Sequence, residues 1–186
     1  MGIIILVVVL AVLALMGIGI YNSLVSKRNN VKNAFATIDV MLKKRFDLIP
    51  NLVETVKQFT QHETEIFDKV AASHGAAYSS LSNSQKAEID ANMQQAQRSF
   101  FAIAEQFPEL KSSENYRQLQ GALNETEEQL SAARRGYNAA VTEYNTSIQS
   151  FPKNIFAGAM GFAEESLLQI AEAEKANVNV GDLFKK

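Results

Sequence analysis

His62 and Glu63 stand side by side, the opening of a zinc-protease helix in which two histidines four apart hold the metal beside a glutamate base. The position four residues after His62 is Ile66, so the second ligand is missing. Di-iron bundles need Glu-x-x-His pairs on facing helices. Phe59 precedes His62 and Ala71 precedes His74 at that offset, so neither pair is made. No metal and no cofactor is expected. Asp39, Asp47 and Glu54 are the next candidates, and Asp47 and Glu54, seven apart, share one face of a helix. Paired carboxylates could exchange protons, but no nucleophile, phosphate-cradling glycine loop or cofactor motif accompanies them. They read better as ion-pair partners, with Arg134 and Arg135 as the expected cations, because the guanidinium fork matches a carboxylate. The expectation is a protein that is not an enzyme, with no catalytic residue.

Chemistry of binding is better represented. Tyr137-Asn138 recurs seven residues later as Tyr144-Asn145, and Tyr21-Asn22 repeats the pair far upstream. Heptad spacing places both later tyrosines on one helix face, with the asparagines at its flank. Rings filling a core, with hydroxyls reaching polar partners, are the plainer reading; a polar strip for a ligand or partner is the alternative. The run from Ile155 to Phe162 holds eight consecutive apolar residues, too few to span a bilayer. Ile155, Phe156, Met160 and Phe162 are expected in a core, an oligomer contact or a membrane-surface contact, and the glycines at 158 and 161 would allow close helix approach.

Composition narrows the classes. The 186 residues contain no cysteine, which excludes a disulfide scaffold, a cysteine zinc cluster and a thiol nucleophile. Eighteen basic against twenty acidic side chains give a net charge of −2, without the basic bias of a nucleic-acid binder, so no nucleic-acid partner is expected. The average hides a division: every Lys, Arg, Asp and Glu follows residue 26. Ile3 to Ile20 is unbroken Ile, Leu, Val, Ala, Met and Gly, enough to cross a hydrocarbon core of ~30 Å. Residues 1–21 are therefore expected to be a transmembrane anchor, touching the lipid bilayer through residues 3–21. Lys27, Arg28 and Lys32 follow it, so the positive-inside tendency puts the amino terminus outside and the rest in the cytoplasm.

Past the anchor, apolar residues recur every three and four positions, the seam of helices packed lengthwise. Leu24, Val31, Phe35, Ile38, Leu42, Ile49, Leu52, Val56, Phe59, Ile66 and Val70 predict a helix over 22–72, with a kink at Pro50, which lacks an amide hydrogen. Arg28, Arg45 and Glu63 fall in the seam slots between them, while Lys43-Lys44-Arg45 as a group reads as a solvated face. Ser82 with Gln85 fits a capping box opening a helix over 84–107. A third helix is predicted over 113–151, with a seam from Tyr116 to Phe151, and a fourth over 154–176 before a tail at 177–186. The expected fold is all-α: one transmembrane helix continuing into a long antiparallel up-down bundle (residues 22–176) of three to four helices.

The motifs Tyr21-Asn22-Ser23-Leu24-Val25, Ile38-Asp39-Val40 and Leu42 through Glu54 (which includes Asp47 and Asn51) resemble the LemA family. So do Ala133-Arg134-Arg135-Gly136-Tyr137-Asn138, Tyr144-Asn145 and Ile148-Gln149-Ser150-Phe151-Pro152. Phe35, Met41 and Glu128-Gln129 depart from the family pattern, and the last twenty residues match weakly. The resemblance implies a bacterial cytoplasmic-membrane protein with one anchor, a cytoplasmic helical bundle and no accepted enzymatic activity. It also implies relatives in magnetosome membrane formation and family genes near a membrane metalloprotease. The expected role is a non-enzymatic, homo-oligomeric scaffold or interaction protein, with an adaptor or regulatory partner of a membrane protease or signalling system as the alternative.

Overall fold

The computed structural model describes residues 1–57, 65–74 and 78–168, and every regular element among them is helical. In chain order these are α1 (Gly2–Phe46), α2 (Ile49–Lys57), α3 (Glu65–His74), α4 (Asn83–Gln106), α5 (Pro108–Ser112), α6 (Glu114–Gln149) and α7 (Lys153–Ala157). The His62-Glu63 pair, Phe59 and the tail at 177–186 lie outside the described residues. Two compact units emerge, one of Met1–Phe35 with Arg134–Lys186, the other of Ala36–Ala133, and α1 and α6 each contribute to both.

In the first unit, α1 begins with apolar side chains that pack on nothing: Ile3 to Leu10, Val12, Leu13, Leu15, Met16 and Ile18 are all exposed. The span from Ile3 to Ile20 rises ~27 Å, so the segment is long and apolar enough to cross a membrane. Burial begins at Ile20 and is complete at Leu24. From there α1 runs antiparallel to α6. Lys27 pairs with Glu143, and the Phe35 ring meets Tyr137 edge-on at 6.0 Å, so numbers rise on one helix as they fall on the other. Leu24, Val31, Val141, Tyr144 and Ile148 fill the unit's core, the aliphatic ones each worth roughly 1.5–3 kcal/mol on full burial.

The seam of α6 keeps its three–four spacing but ends one step early. Ile148 is its last buried residue, and Phe151, expected to close it, is 79% exposed. The helix predicted over 154–176 is shorter still. It stops at Ala157, and residues 162–168 have no regular structure. The cause is Gly161, whose φ of +74° is the left-handed conformation that a side chain penalises. Phe162 N–H donates to Ala157 O and Gly161 N–H to Gly158 O, the paired bonds of a Schellman cap. Gly161 thus ends a helix, and a Cβ at Gly158 would meet nothing within 4 Å, so neither glycine mediates close helix approach.

In the second unit, the single helix predicted over 22–72 is interrupted at Asp47 and Leu48. Leu48 N–H donates to Arg45 O, a tighter i−3 bond, and Pro50 then sits in the first turn of α2, where no amide hydrogen is required. The Pro50 effect is thus a two-residue turn between helices instead of a kink within one. α3 packs on α2, and His74 at its end stacks on Phe46, just ahead of α2, at 4.8 Å, so the two helices are antiparallel neighbours. Phe67 and Val70 bury against this hairpin, which a straight rod would leave exposed. Each half carries the same three–four spacing, so periodicity cannot distinguish rod from hairpin.

Ser82 caps α4 through a complete capping box with Gln85. Met93, Ala96, Phe100 and Ile103 of α4 join Leu52, Val56, Phe67, Tyr116, Leu119 and Leu123 in one cluster. Pro108 opens the short α5, which buries Leu110. The family of elements is an N-terminal apolar helix followed by a helical bundle.

Candidate interaction site

The heptad-spaced Tyr-Asn pairs of α6 meet the segment that follows the Gly161 cap. An irregular segment must find partners for its main-chain groups. A side-chain amide offers one donor and one acceptor with the polarity of a peptide group, so it can replace a neighbouring strand. Asn145 donates to Glu165 O at 2.8 Å and accepts from Glu165 N–H at 3.0 Å. Asn138 repeats both bonds with Leu168, at 2.9 and 2.8 Å. The Tyr144 hydroxyl donates to Ala163 O at 2.9 Å, and Tyr137 to Ser166 O at 3.2 Å.

Two periodicities coincide here. Seven helical residues rise ~10.5 Å and three extended residues cover ~10 Å. Asparagine and tyrosine each step back seven on α6 while their partners step forward three, so the segment runs antiparallel to the helix in register. Its side chains are not what the helix reads: Ala163, Glu164, Glu165, Ser166 and Leu167 are exposed. One polar side-chain contact joins the six main-chain bonds, from Gln149 to Glu164 at 2.7 Å.

The exception is Phe162, buried at the head of the segment. Its ring meets Tyr21 edge-on at 5.8 Å, and the Arg28 guanidinium lies 5.0 Å over it, a cation–π contact. Burial pushes the phenols of Tyr137 and Tyr144 above their usual range, and the Glu165 carboxylate adds to this, so both hydroxyls remain proton donors at neutral pH. At Tyr144 the Arg28 charge opposes part of the shift.

The remainder of the apolar run divides. Ala157 and Phe162 are buried, Phe156 and Met160 are half-buried, and Ile155 is exposed. Arg134 and Arg135 lie one turn from this rail on α6, within the first unit. Asp47 takes Lys43, four residues earlier, as an ion-pair partner.

The acidic candidates lie in the second unit. Asp39 accepts from Lys86 Nζ at 2.7 Å and from the Tyr78 hydroxyl at 3.0 Å. The Lys86 bond holds its carboxyl below the usual range against the opposing effect of burial, with Tyr78 assisting. Burial, then the bond to Asp39, pushes the Tyr78 phenol far upward. Glu54 borders two hollows: an apolar one with Ile49, Pro50, Val53 and His74, and a polar one with Asn51, Thr55, Asn115 and Gln118. Among the described residues, no three metal-ligating side chains converge.

Arg45 corrects the reading of Lys43-Lys44-Arg45 as a solvated face. Lys43 and Lys44 are exposed, but Arg45 is 3% exposed. Its Nη1 lies 3.0 Å from Asp90 and 2.8 Å from Glu127, and its Nη2 donates to Gln97 at 2.9 Å, tying α1 to α4 and α6. Its seam phase between Leu42 and Ile49 was the signal for burial. Nothing in local sequence marks Lys86, Tyr78 or Asp90, because they come from a turn and a separate helix.

The LemA family profile matches residues 34–181, a stretch that contains the Tyr-Asn rail, the Arg45 cluster and Asp39. The chain belongs to the LemA family. It is similar to Protein LemA of Metamycoplasma hominis, 24% identical over 171 residues, covering 89% of this chain and 76% of that protein. It is also similar to Magnetosome protein MamQ 2 of Paramagnetospirillum magneticum, 24% identical over 192 residues, covering 89% of this chain and 71% of that protein. This LemA-family chain therefore carries its asparagine–main-chain rail and its buried arginine within the part shared with the family.

Proposed function

We propose that the protein is a non-enzymatic, membrane-anchored scaffold that self-associates at the bacterial cytoplasmic membrane, with its bundle on the cytoplasmic side. The observation that carries this reading is α1, whose exposed apolar segment continues without a break into the packed helix beyond Leu24. A side chain fixed in that helix is fixed to the anchor. Lys27, Arg28 and Lys32 follow the apolar segment on one side, which supports the cytoplasmic assignment. Val40 and Phe107 leave apolar surface on the second unit that a second copy would cover. Cross-linking of the full chain in native membranes tests it: a ladder of oligomers is expected, and recovery of monomer alone overturns self-association.

The rail favours a second reading, an adaptor that presents an extended segment to a membrane protease. A surface that reads main chain and ignores side chains tolerates many sequences, as substrate presentation requires. Recovery of a membrane protease at near-stoichiometric yield with the full chain supports it, and co-purification of further copies alone overturns it.

A further inference from the structure

We infer that Phe151 and Ile155 form a second membrane contact, inserting into the interfacial layer of the same bilayer that α1 crosses. The inference rests on the anchoring role of α1 proposed above. Both side chains are large and apolar and are 79% and 63% exposed, Phe151 on the turn joining α6 to α7 and Ile155 in the first turn of α7. That turn is held at a definite level of α1. Lys153 Nζ, between the two residues, donates to Ser23 Oγ at 3.2 Å and to Ser147 Oγ at 3.1 Å.

Ser23 lies two residues beyond Tyr21, a rise of ~3 Å. The headgroup layer on each side of the hydrocarbon core is roughly 5–7 Å thick, from the difference between full and core bilayer dimensions. A turn hooked to Ser23 is therefore within that layer when the apolar segment of α1 fills the core. Tyr21, half-exposed at the same level, has the aromatic chemistry favoured there. Phe162, at the end of the same apolar run as Ile155, packs edge-on against Tyr21.

Level separates this patch from other exposed apolar groups. Leu167 is 56% exposed, but its neighbour Leu168 is bonded to Asn138. Asn138 lies nine residues, or ~13 Å, along α6 from Ser147, beyond the headgroup layer. A lipid surface is the occupant that fits Phe151 and Ile155 and leaves Leu167 in water.

The chain has no tryptophan, so single substitutions report without background. The full chain is reconstituted in phosphatidylcholine–phosphatidylglycerol vesicles carrying bromine on the upper or lower acyl chain. Val9→Trp reports insertion of α1, Tyr21→Trp the interface, and Leu167→Trp the aqueous level. Phe151→Trp and Ile155→Trp are expected to lose fluorescence to upper-chain bromine as Tyr21→Trp does, while Leu167→Trp keeps its intensity. If Val9→Trp is quenched by lower-chain bromine but residues 151 and 155 are not, the contact is overturned and the anchor stands. Blue-shifted, unquenched emission at 151 and 155 also overturns it, since a second copy then covers them. Unquenched Val9→Trp overturns the anchor and the contact together.

Discussion

The side-chain amide of Asn138 exchanges two hydrogen bonds with the main chain of Leu168, thirty residues later, as a neighbouring β-strand would. Asn145 does the same for Glu165, one heptad further on along α6 and three residues back on the segment. A helix thereby supplies the edge that an unpaired extended segment lacks. The tyrosines that alternate with the asparagines serve two purposes. Their rings complete the α1–α6 core, and their hydroxyls donate to the carbonyls of Ala163 and Ser166, each two residues ahead of an asparagine contact.

Removing one asparagine removes both bonds of its ring. Each net hydrogen bond contributes ~0.5–1.5 kcal/mol, toward the lower end where water can substitute. Asn138→Ala and Asn145→Ala are therefore expected to destabilise the segment by about 1–2 kcal/mol each, with little change in the α1–α6 core. Hydrogen exchange at the amides of Leu168 and Glu165 checks this. Each substitution should speed exchange first at its own partner, and the double variant should free both.

Tyr144 separates ring from hydroxyl. The residue is 1% exposed, so Tyr144→Ala empties a large volume and is expected to cost ~3–5 kcal/mol. Tyr144→Phe keeps the ring and loses only the bond to Ala163, ~1 kcal/mol. Urea denaturation of the two variants against the parent chain reads the difference.

Arg45 holds Asp90, whose side chain is 10% exposed, and Glu127, at 38%. Arg45→Met takes the cation from the interior Asp90 carboxylate, to which Gln94 still donates, at ~3–5 kcal/mol for a broken buried pair, while Glu127 can turn to water. Adding Asp90→Leu removes that carboxylate, so the double variant is expected to recover most of the loss. Arg45→Lys should lie between, because one ammonium cannot reproduce a fork that serves Asp90 and Gln97 together. Thermal melting of the three variants orders them.

The helical character and seams could be read from local spacing, because burial on one face imposes the three–four period wherever a helix packs. Val70 and Tyr144 keep that period and are buried, yet spacing alone placed Val70 on a rod and extended the seam to Phe151. The direction in which α3 returns is a tertiary property. At the rail, the Tyr-Asn repeat was visible as a pattern, and its tyrosines were read as core rings with polar partners. What the asparagines bind was not readable, since their partners are main-chain atoms, which every residue has. Gly161 followed by Phe162 did carry a signal, a cap glycine before an apolar residue, but eight apolar residues in a row masked it.

Asp39 gives the fold a defined response to acid. Its carboxyl titrates below the ordinary 3.8, chiefly because Lys86 donates to it, so the folded state favours the charged form. A lowered folded value means the contribution is present above about pH 4, the unfolded range, and is lost as pH falls through the folded value. Asp39→Asn should therefore lower the urea midpoint at pH 7, and the gap from the parent chain should close as acidification carries the carboxyl through its lowered folded value. Lys86→Met should lower the midpoint at pH 7 in the same way, because it removes the cation that sets the shift. Combining it with Asp39→Asn should add little, since the two side chains share one interaction. Midpoints that stayed apart from pH 7 to pH 2 would show that Asp39 acts through packing instead of charge.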